Sequence, residues 1–305
     1  MATSGIPDLT SRQLQTILAV AEYGSFIAAA ALMKTSQPAV TRTVKHVEDV
    51  LGVKLFDRST RSVAITAGGK EFVAVAGRML NDLRITIRSM RELSDQRRGQ
   101  VIISSIMSVA NGKLPGLVSA YRLEYPGVEL HVRDGVHGTV IEDVRSGTAD
   151  FGITYLDELP EPFMSVSVGR EEFTVVLPRS HELARKTSLS LSDLRGAPLV
   201  SLPSDSRTRR VIDGAASAAG LSLNYVVTVS QFATMLGFVR AGIGLAIAPK
   251  SGVMSFLGKE LSAVAIRGRP APRGLGIITL REREPSPAAA GLMSLIRRSW
   301  DRPHR

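Results

Sequence analysis

The helix predicted over residues 36–51 constrains this chain more than any other segment, because it presents two faces that need different partners. Its apolar residues recur at helical spacing and form one stripe, Val40, Val44, Val47 and Leu51. The other stripe is polar or basic and consists of Gln37, Thr41 and Lys45, flanked by Pro38 and Arg42. No acidic side chain precedes Glu48 on this helix. The second face can therefore donate hydrogen bonds to base edges in the major groove of DNA and to phosphates.

Two shorter helices precede it. The spacing of Leu14, Ile17, Leu18 and Ala21 predicts a first helix that ends at Tyr23-Gly24. Ser25 is expected to cap a second, alanine-rich helix. Ser36 is expected to cap the third, which has Pro38 in its first turn and ends at Gly52. Three short helices joined by tight turns indicate a helix-turn-helix whose third helix enters the major groove.

A short hairpin is predicted directly after the third helix, over residues 53–66. Arg58 and Arg61 lie at or near its tip, where an arginine can reach the adjacent minor groove of DNA. Taken alone, the third helix would more often be a core helix with a solvated outer face. The hairpin that follows makes a DNA-recognition helix the favoured interpretation and predicts a winged helix-turn-helix over residues 1–66.

Composition limits the remaining possibilities. The absence of cysteine excludes disulfides, zinc–thiolate sites, iron–sulfur clusters and a cysteine nucleophile. A formal net charge of +10 suits a polyanionic partner, although the positive excess is spread along the chain and does not locate a site. The first residues lack the features of a signal peptide, and no apolar run approaches the roughly 20 residues that span a bilayer. We therefore expect a cytoplasmic protein that has no membrane partner.

The segment SFIAAAALMKTSQPAVTRTVKHVEDVLGVKLFDRSTRSVAITAGG, residues 25–69, resembles the LysR-type transcriptional regulators in the order of its parts. The resemblance implies a sequence-specific regulator that binds double-stranded promoter DNA. It places Gln37, Pro38, Thr41 and Arg42 against bases, Arg61 in the minor groove, and Ser36 and Lys45 on the DNA backbone. Val47 and Val50 stand where the family often has leucine, which should affect packing and not the choice of DNA.

A long helix is predicted over residues 67–98. Its apolar residues follow alternating three- and four-residue steps, with polar Thr86 filling one missing step: Phe72, Ala76, Met79, Leu83, Met90 and Leu93. Such a seam can join two copies, although the helix could instead pack on its own domain. The resemblance favours a dimerising linker and implies a homotetramer built as a dimer of dimers, while the sequence itself supports only self-association.

From residue 99 to 305 short β-rich runs alternate with helical ones, which indicates α/β architecture. The resemblance extends here through Glu124–Val128, Ser146–Ile153 and Val239–Pro249, and implies a two-lobed effector-binding domain like that of periplasmic binding proteins. Lobe 1 is expected at about residues 99–171 and 270–305, and lobe 2 at about residues 172–269. The whole chain is then α/β, with an N-terminal all-α winged helix-turn-helix and a long linker helix.

A small-molecule effector is expected between the lobes, where helix N-termini present free N–H groups. The resemblance places its contacts at Met107, Ser108, Val109, Val136, His137, Ser201, Leu202, Pro203, Ser204, Phe232 and Thr234. Serine hydroxyls and helix-terminal amides suit a carboxylate, whereas Met107, Val136 and Phe232 supply apolar walls. We therefore expect an anionic effector, with its class left open.

Other functions find less support. The sequence contains no G-x-S-x-G, Walker or H-E-x-x-H motif, and its five histidines have no metal-ligand spacing, so we expect no enzyme, cofactor or metal site. A solute-binding transport component would share the two-lobed fold but would need export. A sequence-independent nucleoid-type DNA-binding protein remains the alternative, but it would leave some two hundred residues of α/β domain without a role.

Overall fold

The computed structural model describes residues 8–58, 63–92, 99–157, 159–268, 270 and 272–300, with residues 58, 84–86 and 88–92 described by their backbone only. The chain divides into two compact units, with the boundary between Met90 and Arg91. We describe each unit separately. None of the helices in the described ranges is both long and apolar enough to cross a bilayer.

The first unit contains three short helices, a two-stranded antiparallel hairpin and a long helix. Its elements are α1 Ser11–Tyr23, α2 Phe26–Leu32, α3 Gln37–Leu51, β1 Phe56–Arg58, β2 Val63–Ile65 and α4 Ala67–Glu92. Buried side chains from the three helices and from the start of the hairpin form one core, including Ile17, Ala29, Val44 and Leu55. This arrangement confirms the predicted winged helix-turn-helix.

Local hydrogen bonds account for most of these helix boundaries. The Ser25 hydroxyl accepts from the N–H of Ala28, as expected of the cap of α2. Gly24 and Gly52 end α1 and α3 in the left-handed conformation, with φ of 57° and 68°. The prediction for Ser36 was only half right. It occupies the N-cap position of α3, but its hydroxyl makes no capping hydrogen bond. Pro38 has no N–H, and the N–H of Ala39 donates to the Ser36 carbonyl instead.

The first part of α4 differs from the predicted seam. Phe72 packs against the core of the first unit and Ala76 is buried, so both residues serve their own domain. The exposed apolar side chains lie at four-residue spacing, at Val75, Met79, Leu83 and Ile87. Of the other predicted seam positions, the side chains of Thr86 and Met90 and the whole of Leu93 lie outside the described residues. Met79 and Leu83 belong to the predicted seam, whereas Val75 and Ile87 do not, and self-association through this helix stays a prediction.

The second unit combines strands and helices, and in several places one strand directly follows another. Its first part contains β3 Gly99–Ile106, α5 Met107–Asn111, α6 Leu114–Glu124, β4 Val128–Gly135, α7 His137–Arg145, β5 Phe151–Tyr155 and β6 Phe163–Glu171. Its second part contains β7 Phe173–Pro178, β8 Ser188–Leu189, β9 Pro198–Ser201, α8 Arg207–Ala218, β10 Asn224–Thr228, α9 Phe232–Arg240, β11 Ala246–Pro249, α10 Lys250–Met254 and β12 Leu261–Ile266. The last elements are β13 Arg273–Leu280 and α11 Pro287–Ser299.

Sheet pairing divides these elements into two lobes. In lobe 1 the strand order is β4-β3-β5-β13-β6, so β13 returns from the second half of the chain and pairs antiparallel with β5 and β6. In lobe 2 a sheet of order β11-β7-β12-β8 lies beside the parallel pair β10-β9. The chain passes between the lobes after β6 and again after β12. This topology confirms the predicted two-lobed α/β fold.

Candidate functional site

The outer face of α3 is the first candidate site. Val40, Val44 and Val47 bury the opposite face of this helix in the core. That packing leaves five of the predicted DNA contacts exposed, Ser36, Gln37, Pro38, Arg42 and Lys45, and Thr41 half-buried. The Gln37 amide donates to the Thr41 hydroxyl over 3.0 Å, which orders the first turns of the face. The structure thus brings hydroxyl, amide, guanidinium and ammonium groups together on one side of a single helix.

Glu48 is a functional feature that sequence reasoning missed. It is only 2% exposed, and its Oε1 accepts from the backbone N–H groups of Leu55 (2.9 Å) and Phe56 (3.2 Å). Lys54 donates to Oε2 over 3.3 Å. Burial acts to raise the pKa of Glu48, but these donors outweigh it and hold the pKa below its ordinary value. The carboxylate therefore ties the last turn of α3 to the first residues of the hairpin.

The wing can be placed only in part. β1 and β2 pair antiparallel, with Arg58 opposite Val63. Arg61 lies outside the described residues, and Arg58 is described by its backbone only. The minor-groove role of these two arginines stays a prediction.

A cavity of about 500 Å³ between lobe 1 and lobe 2 is the second candidate site. Seven of the predicted effector contacts line it: Met107, Ser108, Val136, His137, Leu202, Pro203 and Phe232. A cavity of this size can hold a small organic molecule. It lies where β3, β4 and β9 end, which is where the sequence placed the ligand.

The other four predicted contacts are not among the lining residues. Val109 is buried in the core of lobe 1. The Ser201 hydroxyl donates to the Leu202 carbonyl and accepts from Arg209, so both of its capacities are used inside lobe 2. Ser204 and Thr234 are exposed to solvent. Their assignment as effector contacts stays a prediction, and nothing in the cavity's geometry adds to it.

Several lining residues were not predicted. Sequence reasoning missed a polar set that comes mainly from the loop before α8 and its first turn: Tyr155, Asp205, Ser206, Arg207, Thr208, Arg210 and Ser230. The run Ser206-Arg207-Thr208-Arg209-Arg210 was the available signal, because basic side chains beside the free N–H groups of a helix N-terminus suit an anion.

The charge of the cavity wall favours an anion. Arg207 and Arg210 both line it, against one acidic lining residue, Asp205. The Arg207 guanidinium also crosses between the lobes and donates to the Asp157 carbonyl over 2.9 Å. On the lobe 1 side, the His137 ring nitrogen lies 2.8 Å from the Thr154 hydroxyl. Among the residues that the structure describes, no group of His, Asp and Glu side chains could hold a metal ion.

Two protein-family models match the sequence and together span most of it. A model described as a bacterial regulatory helix-turn-helix protein of the lysR family matches residues 11–70. A second, described as the LysR substrate binding domain, matches residues 94–301. Each match falls within one of the two units of the structure.

Individual relatives agree with these matches. The chain is 28% identical over 281 residues to the transcriptional dual regulator GltC of Bacillus subtilis, which covers 91% of this chain and 93% of GltC. It is 28% identical over 292 residues to the uncharacterized HTH-type transcriptional regulator YbhD of Escherichia coli, which covers 94% of this chain and 90% of YbhD. Full-length CbnR, solved in a complex with its target DNA, is 25% identical and matches with a TM-score of 0.74 over 95% of this chain and 100% of CbnR.

Proposed function

Because this chain belongs to the LysR family of DNA-binding transcriptional regulators, we propose that it recognises one promoter sequence through the exposed face of α3 and responds to an anionic effector held between its lobes. The regulator acts in the cytoplasm, where promoter DNA is found. The observation that carries the DNA-binding part is the division of α3 into a buried apolar face and an exposed face that contains no acid before Asp49 in the last turn. A face of this composition can read base edges as well as phosphates.

Selection of binding sites from random DNA, followed by footprinting on the selected and on unrelated duplexes, tests this proposal. We expect one enriched motif with paired half-sites and protection of that motif at salt concentrations that release unrelated DNA. Equal binding to all sequences would contradict a specific regulator and support the sequence-independent alternative.

The effector proposal rests on the two arginines of the cavity wall. Arg207 and Arg210 lie on the first turn of α8, and a carboxylate between them would meet charged donors, while Met107, Val136 and Phe232 would cover its apolar part. Because arginine binds carboxylates with two parallel hydrogen bonds, the wall also sets the orientation of the ligand.

The effector proposal can be tested with a panel of small carboxylates, each compared with its uncharged amide. We expect at least one acid to stabilise the full chain while its amide does not. At a concentration 100 times its Kd, a binder should add about 2.7 kcal/mol to the free energy of unfolding, which a thermal shift detects. Arg210→Ala should abolish the shift, whereas Arg122→Ala, which removes an exposed arginine from α6, should leave it intact. Stabilisation by the amides alone would rule out an anionic effector.

Self-association is proposed through α4. Its exposed apolar stripe of Val75, Met79, Leu83 and Ile87 would be costly in water and can be covered by the same stripe of a second copy. A dimer presents two DNA-binding heads, which paired half-sites require, and two dimers would make the homotetramer that the family resemblance implies.

Leu83→Asp should therefore lower the mass measured by sedimentation at micromolar concentration, because a carboxylate would be buried at the centre of the helix pair. The matched control is Asp82→Ala, which changes the neighbouring exposed residue. Unchanged assembly in Leu83→Asp would place the interface elsewhere.

A further inference from the structure

The contact between α5 of lobe 1 and α10 of lobe 2 is unusually close. A Cβ atom added to Gly112, which follows α5, would lie 2.5 Å from the backbone oxygen of Ser251. A Cβ atom added to Gly252 would lie 3.0 Å from the Cα of Ser108. The two glycines therefore allow the backbones of the two helices to touch, which a larger residue at either position would prevent.

A buried carboxyl group lies at this contact. Glu171 is 2% exposed and is the last residue of β6, at the point where the chain crosses from lobe 1 to lobe 2. Its Oε2 accepts from the Ser108 hydroxyl of α5 over 2.5 Å and is 3.4 Å from the Tyr155 hydroxyl. Its Oε1 accepts from the Ser251 hydroxyl of α10. One carboxyl group thus receives hydrogen bonds from both lobes.

The same group lies directly behind the cavity. Ser108 and Tyr155 both line the space between the lobes, and both donate hydrogen bonds to Glu171, which is not among the lining residues. We propose that Glu171 is a positioning residue that fixes these two lining side chains to Ser251, so that the cavity wall and the packing of α5 on α10 change together. A role of Glu171 in regulation rests on the proposed effector site. The coupling between the cavity wall and the packing of α5 on α10 can be measured without any ligand.

Three elements beside Glu171 supply titratable or charged side chains, β5, β13 and α10, whereas α5 supplies none. Tyr155 on β5 faces it, and Arg273 on β13 stacks on the Tyr155 ring at 3.6 Å and pairs with Asp157. Lys250 at the start of α10 pairs with the neighbouring Glu172 over 3.2 Å. Burial raises the pKa of Glu171, while the three hydroxyl groups and Arg273 act to lower it, and the net result is a pKa above the ordinary value.

The raised pKa of Glu171 determines how the stability of the protein should change with pH. A carboxyl group whose pKa is raised by folding favours the protonated folded state, so its contribution to stability is greatest below the ordinary pKa of glutamate. That contribution is lost as the pH rises through the raised pKa. Glu171→Gln keeps the shape and removes the charge, so it should abolish this loss.

Hydrogen exchange of the full chain, followed by mass spectrometry, tests the coupling. Glu171→Ala should speed exchange by about tenfold or more in both α5 and α10, because hydrogen bonds to a carboxyl group are lost in each lobe. Ser251→Ala, a change in lobe 2 alone, should speed exchange in α5 of lobe 1. The control is Ser255→Ala, which removes a different hydrogen bond between these segments, from the Ser255 hydroxyl to the Asn111 carbonyl on the exposed side. It should leave the cavity wall unchanged.

Two results would overturn the inference. One is that Glu171→Ala speeds exchange only in β6, or speeds exchange in α5 and α10 no more than the Ser255→Ala control does. The other is a pH dependence of exchange in α5 and α10 that is the same in the wild type and in Glu171→Gln. If Glu171→Ala does not fold, Glu171→Gln and Ser251→Ala still give both readouts. Failure of every carboxylate to bind would reject the effector proposal and leave these results standing.

Discussion

Replacing Arg42 by alanine is expected to weaken binding to the selected promoter site by ~1–3 kcal/mol, a rise in Kd of about 5- to 150-fold, and to relax the preference for one base pair. Arg42 is exposed on α3, on the side away from Val40 and Val44, so its guanidinium can reach a base edge when the helix lies in the major groove. Loss of both hydrogen bonds to one base should be seen as equal binding of duplexes that differ at that position. Titrations with the selected duplex and its single-base variants measure this.

Two further variants separate base recognition from charge. Lys45→Ala should weaken binding to all sequences alike and reduce the slope of affinity against salt by about 1, as expected of one lost phosphate contact. Arg122→Ala removes the same charge from α6 of the second unit and should change neither quantity. A footprint of Arg42→Ala that matches the wild type, with base preference intact, would show that α3 does not read the sequence through this residue.

The helices of the first unit could be predicted because their signals are local. Ser25, Gly24 and Gly52 act within one turn of the residues that they cap, so a single sequence contains all the information needed. The apolar stripes of α1 and α3 repeat at helical spacing for the same reason. In the second unit, β5 and β7 could be predicted because both are buried apolar runs.

Features that depend on distant partners were not predicted. β6 has an exposed middle and, among the strands that the structure describes, pairs only with β13, which lies more than a hundred residues further along the chain. β12 contains serine and two alanines, which are poor strand formers, and is held by its pairing with β7. Arg207 and Arg210 line the cavity only because the two lobes place the start of α8 across it from α5 and α7. Sequence spacing contains no information about such contacts.

Glu48 in the first unit also makes contacts that sequence spacing does not predict. Its replacement is expected to cause a large loss of stability. Glu48→Ala should lower the stability of the first unit by about 2–4 kcal/mol, or roughly 30- to 1,000-fold in local exchange rate, because two buried backbone N–H groups lose a charged acceptor. The N–H groups are those of Leu55 and Phe56, where the hairpin begins. Lys54 adds little, since its side chain is 68% exposed and its ion pair is screened. Hydrogen exchange of α3 and β1 in the full chain measures the loss.

The matched control is Asp49→Ala, which removes the adjacent exposed carboxylate from the same helix. The exchange rate of Glu48→Gln, which keeps one acceptor oxygen, should lie between those of Glu48→Ala and Asp49→Ala.

Folding lowers the pKa of Glu48, so the wild type should lose part of this stability as the pH falls below the ordinary pKa of glutamate, and Glu48→Gln should not. DNA affinity should fall with stability in Glu48→Ala although the residue is absent from the exposed face, because the carboxylate aligns the wing with α3. If Glu48→Ala exchanges no faster than Asp49→Ala, the hairpin is held to α3 by the apolar contacts of Leu55 and Phe56 alone.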